Sequence, residues 1–107
     1  MKETKEPIEN ICCTLNNQDL QERKKMLEKF RFLIRKRTEL EDGYVFTFGG
    51  ENDVLDSVLN ILKLERQCCP FLSFDLSFQH EAEPILLKIT GPKGTKEFII
   101  DEMGLVS

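Results

Sequence analysis

No run of apolar residues in this 107-residue chain approaches the roughly 18 that a membrane-spanning helix requires, so neither a span nor a membrane partner is expected. The opening residues, Met1-Lys2-Glu3-Thr4-Lys5-Glu6-Pro7, lack the apolar segment of a secretory signal, which points to a cytoplasmic protein. Histidine occurs once, at His80, with no obvious orienting carboxylate, so a Cys-His catalytic pair has no support. No nucleophile-elbow sequence is present for a serine triad. The segment Gly91-Pro92-Lys93-Gly94-Thr95-Lys96 lacks the spacing of a phosphate loop, and its proline removes a backbone donor; a turn and helix start explains it better. A Cys-x-x-Cys spacing is missing too, which removes the local zinc-knuckle pattern. No catalytic residue can be assigned from these patterns.

What the chain does have is four cysteines in two vicinal pairs, Cys12-Cys13 and Cys68-Cys69. Reduced thiols are the expected state in a cytoplasmic protein, and adjacent cysteines join each other only through a strained ring. Glu65, Cys68 and Cys69 fall at positions i, i+3 and i+4, so a carboxylate and two thiols share one face if helix persists to Cys69. Such a group suits a soft or borderline metal ion, zinc or another such as copper(I) or mercury(II), and Cys12 or Cys13 could close the shell from the other segment. The opposing expectation is that Cys68 and Cys69 are small buried residues at a helix–strand junction, as free cysteines commonly are. The helix C-terminus also disfavours a thiolate at Cys68 and Cys69, with Arg66 as a nearby offset, whereas Cys13 precedes a helix, whose dipole favours one.

The hydrophobic pattern gives the order α-ββ-α-ββ-α. Leu20, Met26, Leu27 and Phe30 mark a first helix that starts at Asn16 or Asn17, the capping residue, and ends between Phe30 and Leu33. Phe30 and Phe32 both read as core. Alternation from Ile34 to Leu40 gives a strand, and Asp42-Gly43 reads as a two-residue hairpin turn with both residues at positive φ. Tyr44, Phe46 and Phe48 share one face of the next strand. A second helix opens at Asn52 or Asp53, apolar enough to be buried on more than one side, and ends before Pro70. Leu72 to Phe78 alternates cleanly, Ile85 to Ile89 forms a fourth strand, and a short last helix that starts at Pro92 docks through Phe98, Ile99 and Met103. The expected fold is α+β: a four-stranded antiparallel sheet with helices on one face. Residues 1–10 form a loose charged arm and 11–107 a single domain.

Charge is unevenly spread. Residues 23–37 hold eight Lys and Arg against Glu28 alone, a local balance of +7, so the remainder of a chain of net charge −4 carries −11. A basic stripe can bind phosphates, yet no exposed aromatic is interleaved with it in the pattern, so a solvated helix face is expected and a nucleic-acid partner is not.

Four segments resemble a family of small, uncharacterised bacterial proteins of unknown function. They are Cys13 to Leu15 followed by a helix with Arg23, Glu39 to Phe48, Glu65-Arg66-Gln67-Cys68-Cys69-Pro70-Phe71-Leu72-Ser73-Phe74, and Gly91 to Phe98. The resemblance spans residues 13–98 and singles out Cys13, Glu65, Cys68 and Cys69, leaving Cys12 outside the pattern. It implies a cytoplasmic domain and no particular activity. The functional expectation is therefore a protein that binds a soft metal ion or senses thiol redox state through clustered cysteines. The alternative is a non-catalytic interaction module, a homodimer through a sheet edge or the second helix.

Overall fold

The computed structural model describes residues 17–80 and 83–106, with side chains from residue 21 onward. Its elements run α1 (Asn17–Leu33), β1 (Lys36–Glu39), β2 (Gly43–Phe48), α2 (Asn52–Cys68), β3 (Ser73–Ser77), β4 (Ile85–Thr90) and α3 (Thr95–Asp101). This is the α-ββ-α-ββ-α order expected from the hydrophobic pattern. The four strands form one antiparallel sheet in the order β1-β2-β4-β3. Both hairpins thus lie side by side, with β2 and β4 in the centre.

Period-2 alternation explains why the helices lie on one face. Tyr44, Phe46 and Phe48 of β2 and Ile85, Leu87 and Ile89 of β4 all point inward and are buried. Leu27 and Phe30 of α1, Val58 and Ile61 of α2, and Phe98 and Ile99 of α3 complete that core. Phe30 meets Phe48 at 5.1 Å between ring centroids, joining α1 to the sheet. At the other end α3 is held by the Lys96–Glu39 ion pair to β1, and the Lys96 ammonium also lies 5.9 Å from the Tyr44 ring centroid. Met103 and Leu105 are buried too, and the Arg37 Nε donates to the Leu105 carbonyl at 2.5 Å, so the chain after α3 folds back on the domain.

Four sequence expectations change. Phe32 is 88% exposed where Phe30 is 2% exposed. Two residues is about 200° of helical rotation, so the core face that takes Phe30 turns Phe32 to solvent, among the Lys and Arg of α1. In the first hairpin the turn moves back by one residue: Leu40 N–H donates to the Gly43 carbonyl at 2.8 Å, Glu41 and Asp42 form the turn, and Gly43 starts β2. Gly43 takes no positive φ. Glycine is needed there for space, because a Cβ would lie 1.8 Å from the Ile89 carbonyl oxygen. The second helix is buried along one stripe only, Val58, Ile61, Glu65 and Cys68, while Leu59 is exposed. The last helix starts at Thr95 and not at Pro92; the Pro92 carbonyl instead accepts from both the N–H and the hydroxyl of Thr95. Asn16, one of the two expected caps, lies outside the described residues, as does the arm at 1–10.

The contrast between neighbouring phenylalanines gives a direct check on this packing. Phe30→Ala should lower unfolding stability by about 3–5 kcal/mol, and Phe32→Ala should change it by no more than about 0.5 kcal/mol. Urea denaturation of the two variants reads both values.

Candidate functional site

The buried stripe of α2 contains one residue that does not belong in an apolar core. Glu65 follows Ile61 by four positions and precedes Cys68 by three, so it points inward with them, and its side chain is 1% exposed. A lone carboxylate there would be strongly disfavoured. Arg23 of α1 supplies the partner. Its Nε donates to Glu65 Oε2 at 2.6 Å and its Nη2 to Oε1 at 3.1 Å, a two-pronged bond across 42 residues of sequence. The Arg23 side chain is itself only 11% exposed. Burial works against the guanidinium charge, but the hydrogen bond and charge of Glu65 more than offset it, and the pKa of Arg23 is held above its ordinary value.

The vicinal cysteines sit at the end of this helix. Helix persists to Cys68, and Cys69 is the C-cap residue, its N–H donating to the Glu65 carbonyl at 2.7 Å. Pro70 then prevents continuation. The geometry brings the Cys69 sulfur to 3.8 Å from Glu65 Oε1, as the i, i+4 spacing predicts. Both cysteines are fully buried. Cys69 is disulfide-bonded and Cys68 keeps its thiol, so the adjacent pair are not joined to each other. Cys69 therefore has no S–H, and its approach to Glu65 is a close contact, not a donated hydrogen bond. The expectation of reduced thiols fails at Cys69. That expectation rested on compartment alone.

Arg23 also lies close enough to Cys68 that negative charge on that sulfur favours the guanidinium. Arg23 rather than the exposed Arg66 is thus the cation of the site. It was legible in the sequence only as an arginine of the first helix. A firmer signal was available: a glutamate on the apolar stripe of a helix needs a buried cation somewhere in the fold. The outer side of Arg23 borders a cleft of about 380 Å³, with Leu27 and Arg31 on one wall and Asp101 and Glu102 on the other.

Of the expected site residues, Cys69 meets Glu65 at 3.8 Å and Cys68 is buried on the same helix stripe as Glu65; Cys13 and Cys12 lie outside the described residues. Among the described residues no group of three or more His, Cys, Asp or Glu is placed to hold a metal ion. Both oxygens of Glu65 are already taken by Arg23, so a metal would have to displace a guanidinium nitrogen to use them. His80 is exposed, with Glu83 at 3.7 Å. No family model, curated protein or solved structure matches this chain.

The ion pair makes a specific energetic prediction. Arg23→Met alone should destabilise the protein by about 3–5 kcal/mol, since it leaves Glu65 buried without its counter-charge. Adding Glu65→Leu should recover most of that loss, because the desolvation cost of the carboxylate disappears with it. Chemical denaturation of the single and double variants measures both steps.

Proposed function

We propose that this protein senses thiol redox state, with Cys69 as the reporting sulfur and Cys13 as its disulfide partner. One observation supports the reading above the others: a disulfide-bonded Cys69 stands beside a retained thiol at Cys68 and 3.8 Å from a buried carboxylate. In a cytoplasmic protein, the expected location, disulfides are usually transient and sensing or catalytic. Formation of the bond removes two electrons and two protons from two thiols, taken by an oxidant of the peroxide or disulfide class. Reduction by an incoming dithiol reverses it.

The consequence of reduction follows from Glu65. A restored Cys69 thiol has an S–H aimed from 3.8 Å at Oε1, the oxygen that also accepts from Arg23 Nη2. The two donors then share one acceptor, and the redox state of Cys69 bears on how firmly α1 is held to α2. Metal ligation, the other expectation for these residues, is less favoured because it competes with Arg23 for the carboxylate.

Alkylation mapping tests the proposal. The protein is poised in buffers of graded dithiol-to-disulfide ratio, quenched with an alkylating agent and mapped by mass spectrometry. Cys69 and Cys13 should switch together, between reduced and fully blocked, with a midpoint inside the cytoplasmic range. Cys69→Ser should leave Cys13 alkylated at every ratio, and Cys68→Ser should preserve the transition. A bond that resists reduction across the whole range, or stoichiometric zinc lost on Cys69→Ser, would sink the sensing role.

A further inference from the structure

The two edges of the sheet are built differently. At one edge β1 is Lys36-Arg37-Thr38-Glu39, exposed throughout and charged at three of four positions, the usual protection against pairing with another strand. At the other edge β3 is Ser73-Phe74-Asp75-Leu76-Ser77, with no lysine, arginine or proline and one acid. Among the described residues, the backbone groups of β3 that face away from β4 have no backbone partner. Its inward residues are also under-covered. Phe74 and Leu76 are only half-buried, while the inward residues of β2 and β4 are buried, and Phe78, next in the alternation, is 49% exposed.

We propose that β3 pairs antiparallel with β3 of a second copy of this chain, about a two-fold axis at Leu76, joining two sheets into one of eight strands. Side-chain period fixes the choice of register. A pairing that keeps inward residues inward must be centred on a residue, and each centre gives a different set of opposed side chains. Centring on Asp75 opposes two carboxylates, which is unfavourable. Centring on Phe74 leaves Phe78 beyond the pairing. Centring on Leu76 sets Leu76 against its copy and Phe74 against Phe78 of the second copy on the inward face. On the outward face it sets Asp75 against the second copy's Ser77, an acceptor opposite a hydroxyl. Within its own sheet Asp75 already faces Lys88, so no like charges meet. The self-complementarity of this one register is what selects a second copy over an unrelated strand. The surface is small, so the dimer is expected to be weak and concentration-dependent.

Analytical ultracentrifugation of the full chain, over a wide concentration range and with reductant present, tests this. A reversible monomer–dimer equilibrium is expected. Phe78→Glu, at an exposed position that folding does not need, should weaken it at least tenfold. Ser77→Lys is specific to the register: it places a cation opposite Asp75 of the other copy twice, and should tighten the dimer roughly fivefold. A register centred on any other residue of β3 sets that lysine against no acid, so no tightening would follow. A chain that stays monomeric at every concentration, association seen only without reductant, or a dimer indifferent to both variants would each overturn the proposal.

Discussion

Glu65 stands where the period of α2 calls for an apolar side chain, and the packing around the helix junction is organised by the need to neutralise it. Its counter-charge comes from Arg23, a residue of the preceding helix, through two parallel hydrogen bonds. A fork of this kind tolerates little sliding or rotation, so it sets α1 against α2 more narrowly than apolar contact would. It is a poor way to gain stability. Desolvating both charges consumes most of what their attraction returns, and a well-packed apolar pair of similar volume would hold the helices as well or better. What the ion pair has and an apolar pair lacks is charge of both signs within reach of the two cysteines.

That charge matters because of where the sulfurs are. Cys68 closes α2 and Cys69 caps it, so both are fixed by helix geometry and by the hydrogen bond from Cys69 N–H to the Glu65 carbonyl. Left alone, the carbonyl end of a helix is an unfavourable place for a thiolate. The guanidinium of Arg23 lies near Cys68, and the Glu65 carboxylate lies 3.8 Å from the Cys69 sulfur. The two cysteines, adjacent in sequence, thus sit in different electrostatic surroundings and different chemical states. One is a thiol and the other is bonded.

The sequence was most legible where a pattern repeats and least where one residue decides. Alternation placed β2, β3 and β4 within a residue or so of their observed ends, and Cys69 lies beside Glu65 although the helix ends one residue earlier, at Cys68. Phe32 follows phase and not residue type: an aromatic two positions from a buried one on a helix faces away from it. At Gly43 the Asp-Gly pair is a strong turn signal, and nothing local records that the Ile89 carbonyl passes too close for any side chain. Arg23 was hidden for a related reason. Eight cations crowd residues 23–37, and which of them turns inward depends on a glutamate 42 residues away.

The charge asymmetry of the chain acquires a spatial meaning once the strand order is known. Arg35, Lys36 and Arg37, the end of the basic segment, lie at or beside β1, and the order β1-β2-β4-β3 puts that strand at the opposite edge from β3. Three strand spacings separate the two edges, about 14 Å. This exceeds the screening length of about 8 Å at physiological salt, so β3 is electrostatically insulated from the cations of β1. A sheet extended through β3 would carry its two basic edges outward, at the far ends, where their mutual repulsion is negligible. Extension through β1 would instead bring two sets of cations face to face. Charge placement therefore distinguishes the two edges of the sheet, one charged at three of four positions and the other carrying a single acid.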